Sequence, residues 1–132
     1  MVKIILIGRC CRVSNDMINI NLKQESSLFE WTWTDTLNEI NVIIQKLINN
    51  EEIVINRIDG NDYMKDTNIK TCHYVNTDYK KIVNRRSLRF MSDVLKNKEV
   101  LFIRDDALST IKYEEIQTFF SLIKTIKSII IF

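Results

Sequence analysis

The chain opens on Val2-Lys3-Ile4-Ile5-Leu6-Ile7, an apolar run broken only by Lys3, and Gly8 ends it. Such a run predicts a strand covered on both faces, as in a parallel sheet. Cys11 to Leu22 then reads as a short helix with Val13, Met17, Ile18, Ile20 and Leu22 inward, against the helix-breaking tendency of its asparagines. Ser26 to Trp33 is a loop or turn carrying Phe29, Trp31 and Trp33. From Thr36 to Asn49 the pattern is helical: Leu37, Ile40, Ile44, Leu47 and Ile48 follow the period, and Thr36 with Glu39 fits a capping box. Glu52 to Ile58 predicts a strand, and Asp59-Gly60-Asn61-Asp62 a turn.

Residues 61 to 78 are polar and carry no clear period, with at most a short strand around Cys72 to Val75. Asp78 then caps a long helix to about Asn97, whose buried face is Tyr79, Val83, Phe90, Met91 and Val94. Glu99 to Arg104 predicts a core strand. Lys112 to Ile126 predicts a helix with Ile116, Phe119, Phe120, Ile123 and Ile126 on one side, and Ser128 to Phe132 a last strand. Strands separated by helices imply right-handed crossovers. The expectation is a single α/β domain over residues 1–132, a three-layer sandwich with a mostly parallel central sheet. In such sheets functional groups collect beyond the carboxyl ends of the strands, where Cys11 and Arg104-Asp105 both fall.

Composition narrows the classes. With 45% hydrophobic and 27% charged residues, the 132-residue chain is globular rather than disordered. Nineteen Lys and Arg against 17 Asp and Glu leave a net charge of +2, so nothing general favours a nucleic-acid partner. Any electropositive surface must come from local clustering. Two glycines and no proline leave the turns to Asn and Asp. The abundance of Ile, Asn and Lys is the coding signature of an AT-rich genome, as in many large DNA viruses or AT-rich bacteria. Three cysteines, no secretory leader in the opening run and no stretch long enough to span a membrane predict a reducing, cytoplasmic setting.

Cys11 leads the candidate chemistry. A helix N-terminus carries partial positive charge and stabilises a thiolate, which would make Cys11 a nucleophile; the competing reading is a small buried residue filling a gap. Backbone N–H groups at residues 11 and 12 would then stabilise an oxyanion. His73, the single histidine, is the candidate base, or else an ordinary loop residue. A third, orienting group is sought among Asp105, best placed by topology, Glu30 and Asp78. No CxxC or HxxxH spacing supports zinc, and no cofactor is implied. On the long helix, Lys81, Arg85 and Arg89 form an outward stripe, read as a solvated face or, alternatively, an RNA contact. Arg86 falls at the border of the apolar face and needs a carboxylate, a carbonyl or a bound anion. It is expected either to pair with Glu30 or Asp105, or to clamp a substrate anion near Cys11; Glu30 and Trp31 are the other candidate substrate-binding residues. The aromatic loop is core, or exposes one tryptophan to a pocket or partner.

Four motifs in order resemble a family of papain-like cysteine peptidases of otherwise unknown function, found in bacteria and large DNA viruses. They are an apolar strand with Gly8-Arg9-Cys10-Cys11, then Ser26-Ser27-Leu28-Phe29-Glu30-Trp31, then Arg85-Arg86-Ser87-Leu88-Arg89-Phe90, then Leu101-Phe102-Ile103-Arg104. The resemblance covers roughly residues 2 to 132, and the size and composition are similar to a poxvirus-type member. Leu28 and Glu30 stand where the family has proline and aspartate, and the middle of the chain is short around His73. The resemblance implies a cysteine-dependent hydrolase or transferase acting on a protein or peptide, with Cys11 as nucleophile, or a viral copy that has lost activity. The alternative is a non-enzymatic accessory protein that binds partners through the aromatic loop or the basic helix.

Overall fold

The computed structural model describes residues 3–9, 12–20, 26–74, 77–96, 99–105, 111–123 and 127–131. The elements are β1 (Lys3–Leu6), α1 (Arg12–Asn19), α2 (Leu37–Ile48), β2 (Ile55–Ile58), β3 (Asn61–Met64), β4 (Lys70–Thr71), α3 (Tyr79–Lys96), β5 (Val100–Arg104), α4 (Tyr113–Ile123) and β6 (Lys127–Ile131). They form a mixed α/β fold with two sheets. One is parallel with strand order β1-β5-β6, and the other is antiparallel with order β2-β3-β4.

The parallel sheet is the expected one in part. Lys3 to Leu6 lie opposite Val100 to Ile103, and Val100 to Arg104 opposite Lys127 to Ile131. The segment around Ile55–Ile58 does not join it, which corrects the expectation that the Glu52 to Ile58 strand belongs to the parallel sheet. The reason is the turn that follows. Asp59 (φ 49°) and Gly60 (φ 81°) are both left-handed, the geometry of a tight two-residue hairpin turn. A two-residue connection can only pair strands antiparallel. Asn61 and Asp62 therefore belong to β3, opposite Ile58 and Arg57. Likewise β4 ends at Thr71, so Cys72 to Tyr74 form no strand; Val75 lies outside the described residues.

The helices follow their sequence signals closely. Thr36 caps α2: its hydroxyl accepts from the Glu39 N–H and the Glu39 carboxylate accepts from the Thr36 N–H, both at 3.4 Å. Leu37, Ile40 and Ile44 are buried, but Ile48, at the last turn, is exposed. On α3 the Asp78 carboxylate accepts from the Lys81 N–H, and Tyr79, Val83, Phe90 and Val94 are buried as the period predicts. Met17 is the buried contact of α1, whereas Ile18 and Ile20 face solvent. Leu22 and Ile126 lie outside the described residues.

Packing divides by strand alternation. Ile5, Ile7 and Phe102 join the large core formed with α2, α3 and α4, where Phe119 meets Phe102 edge-on at 4.9 Å and Phe29 meets Phe90 at 5.7 Å. Leu6 and Ile103 belong to a second, smaller cluster with Met17 of α1. No described helix is long and apolar enough to cross a membrane.

Arg104, the last residue of β5, is completely buried. It donates to the Ile7 carbonyl (2.9 Å), the Thr34 hydroxyl (2.6 Å) and the Thr34 carbonyl (3.0 Å). A buried cation is tolerable only with such partners, and its removal orphans every acceptor it serves. Arg104→Met is expected to lower unfolding free energy by at least about 3 kcal/mol in urea denaturation. A second expectation concerns Asp66, whose carboxylate takes a hydrogen bond from the Lys46 ammonium at 2.7 Å. That contact, followed by the charge of Lys46, holds Asp66 below its ordinary value. Since the folded group is the stronger acid, its contribution to stability is present above the ordinary aspartate range and fades as pH falls through the folded value. In a carboxyl-carbon NMR titration, Lys46→Met should move the Asp66 midpoint upward.

Candidate functional site

The aromatic segment is built from the turn inward. Glu30 is buried, and its carboxylate accepts a hydrogen bond from the Ser27 N–H, closing the turn. The Ser27 hydroxyl donates to the Leu6 carbonyl (2.8 Å), tying that turn to the end of β1. Trp31 adopts a left-handed backbone (φ 61°), which costs an aromatic residue about 1–2 kcal/mol. Its carbonyl is held by the Thr71 hydroxyl at 2.7 Å. Trp33 then pairs with Lys70 through both backbone bonds, at 2.7 and 3.2 Å. The segment thus lies along β4, between the two sheets in the chain's path.

This placement opens a groove of about 490 Å³. Trp31, Thr32 and Trp33 form one side. Asn15 and Asp16 of α1 and Asn61 of β3 contribute polar groups. Lys70, Thr71, Cys72 and His73 complete the lining. The His73 ring lies 5.4 Å from the Trp31 ring, centroid to centroid, in an edge contact. The Arg9 guanidinium covers the Trp33 ring at 4.6 Å, and the Trp33 indole N–H donates to Asp35 at 2.8 Å. Both indoles are therefore held, one by backbone strain and a clamp, the other by a cation and a carboxylate.

The candidate residues fall in different places. Cys10 and Cys11 lie outside the described residues. His73 is exposed and lines the groove with the half-buried Trp31. Glu30 is buried in the turn and does not line it. Asp105 is buried just beyond β5, also away from the lining. Asp78 is spent on capping α3. Arg86 is buried as its border position implies, but its observed partner corrects the expectation of Glu30 or Asp105. Arg86 donates to the Tyr74 hydroxyl at 3.0 Å, with its guanidinium 5.5 Å from that ring. Tyr74 is brought there by stacking on Tyr79 at 4.7 Å, a contact between segments that share no periodic pattern. Burial raises the Tyr79 hydroxyl above its ordinary pKa. Arg89 is not simply solvated either; it donates to the Ser26 carbonyl at 2.8 Å.

Sequence reasoning missed Arg9, Asp16, Asn61, Lys70 and Cys72 as groove residues or neighbours. The available signal was the Trp-Thr-Trp alternation, which places two indoles on one side of any extended segment. Among the described residues no group of three or more His, Cys, Asp or Glu side chains is placed to hold a metal ion. No protein-family profile, no curated protein and no solved structure matches the chain.

The Thr71 clamp is testable. Thr71→Val removes the one hydroxyl bonded to the strained Trp31 carbonyl. It should lower thermal stability by about 1 kcal/mol and red-shift the tryptophan emission as Trp31 loosens.

Proposed function

We propose that the chain is a cysteine-dependent hydrolase or transferase that works in the aromatic groove, with Cys11 as nucleophile and His73 as general base. One observation carries the reading. The chain on both sides of Cys11 meets the groove that His73 lines: Arg9, just before it, covers Trp33, and Asn15, four residues after it, is part of the lining.

In the reaction, the Cys11 sulfur attacks an acyl carbon while the imidazole takes the thiol proton. The tetrahedral oxyanion is stabilised by backbone N–H groups at the start of α1. The imidazolium returns the proton to the leaving group, and water or another acceptor then releases the acyl group from sulfur. Asp105, Glu30 and Arg86, buried away from the groove lining, serve to hold the scaffold in this reading. Burial on both faces of β1, by the large core on one side and Met17 on the other, supports a three-layer sandwich. A protein or peptide acyl donor, a reducing cytoplasmic site of action and a poxvirus-type origin belong to the same proposal. They rest on the motif resemblance, on the exposed free thiol of Cys72 and on the coding bias.

The test is alkylation. Iodoacetamide at pH 7 should modify Cys11 at least about tenfold faster than it modifies Cys72, and His73→Ala should abolish that difference. Equal rates at the two thiols, read by peptide mass spectrometry on folded protein, would sink the nucleophile.

A further inference from the structure

The groove holds a cation with no carboxylate partner among the described residues, and that goes beyond the proposed reaction. Lys70 lines it, and among the described residues no carboxylate lies within ion-pair distance of its ammonium. Arg9 has no ion pair among those residues either. Its Nε is buried without a hydrogen-bond partner while its guanidinium covers Trp33. In the lining Asp16 is the one carboxylate and Lys70 the one ammonium, while beside it Arg9 covers Trp33 and Asp35 accepts from the same indole, so Lys70 is the cation left for a ligand. A cation already occupies one face of Trp33, which disfavours a cationic ligand there and favours an electron-rich ring. A space of about 490 Å³ is larger than one aromatic side chain needs and lies in the range of small-molecule sites.

We propose that this groove binds a nucleotide unit, its base stacked on Trp31 or Trp33 and its phosphate paired with Lys70. Stacking on indole tolerates any base, and a phosphate supplies the anion that Lys70 lacks. The unit comes either as a free mononucleotide or as part of a single RNA strand; both present the same ring and phosphate. The inference concerns what the groove holds and does not depend on the reactivity of Cys11.

The experiment is a titration of intrinsic tryptophan fluorescence in the full chain. The probes are AMP, adenosine, ribose 5-phosphate and a single-stranded oligoadenylate. AMP should quench saturably, while adenosine and ribose 5-phosphate, each missing one half of the recognised unit, should bind at least about tenfold more weakly. Lys70→Gln should weaken AMP by about tenfold and leave adenosine unchanged. The Lys70 backbone makes the strand contacts, so this variant should keep its circular dichroism spectrum. An oligoadenylate that binds tighter than AMP, with affinity falling steeply with salt, identifies RNA as the source; equal affinity identifies the free nucleotide. The proposal is overturned by absence of saturable AMP quenching up to about 10 mM. Equal affinity for AMP and adenosine, or Lys70→Gln binding AMP as well as the parent, overturns it too. Cys11→Ser should bind AMP normally, so failure of the alkylation test leaves this result standing, and the reverse also holds.

Discussion

A completely buried guanidinium holds the two halves of this molecule in register. Where β1 ends, the carbonyls of Ile7 and Gly8 face the chain rather than a neighbouring strand, and Arg104 reaches across from β5 to take the first. The Thr34 hydroxyl accepts from Arg104 and donates to the Gly8 carbonyl at 2.8 Å, while the Thr34 N–H donates to the Arg9 carbonyl at 2.8 Å. Each group satisfies another, so the network is cooperative in the sense that a low-dielectric interior enforces. Losing one member leaves buried polar atoms with nothing to bind.

That network sets the geometry of the groove. It pins the exit of β1 against the residue that follows Trp33, and the backbone pairing of Trp33 with Lys70 carries the constraint on to the antiparallel sheet. The groove is therefore lined by the segment from Trp31 to Trp33 together with residues of α1, β3 and β4. The left-handed backbone at Trp31 fits the same picture, because strain persists only where surrounding contacts over-determine it, as the Thr71 clamp does. A chain with almost balanced charge can still leave Lys70 without a carboxylate partner in such a groove, since burial and strand pairing, not composition, decide which carboxylates come near.

Legibility varied with how local the determining interaction was. The capping box at Thr36 and Glu39, the buried stripe of α3 and the strands β1, β5 and β6 were visible in the residues, because each depends on spacing within a few turns or on a continuous apolar run, but their pairing order was not. The strand β3 was not, because Asn61 and Asp62 have poor strand propensity and are recruited by the hairpin turn and the partner β2. Ile18, Ile20 and Ile48 matched an inward pattern yet lie exposed at or near helix ends, where the period continues but the core does not. Of the candidate site, His73 and Trp31 were legible and do share the groove. The partner of Arg86 was not, since Tyr74 lies in the polar stretch that gave no periodic signal.

The residues alone determined which segments are helix or core strand, that Arg86 must be buried with a polar partner, and that a strand-to-helix junction carries two cysteines. Apolar periodicity and capping act over distances the chain itself spans, so they can be read along it. Only the tertiary structure decided that the middle of the chain leaves the parallel sheet for a sheet of its own. It also decided that Trp33 seats on Lys70, that Arg9 covers the Trp33 indole, and that Lys70 lines the groove without an ion pair among the described residues. Those outcomes depend on which distant polar groups satisfy one another once water is removed, and spacing along a chain does not encode that.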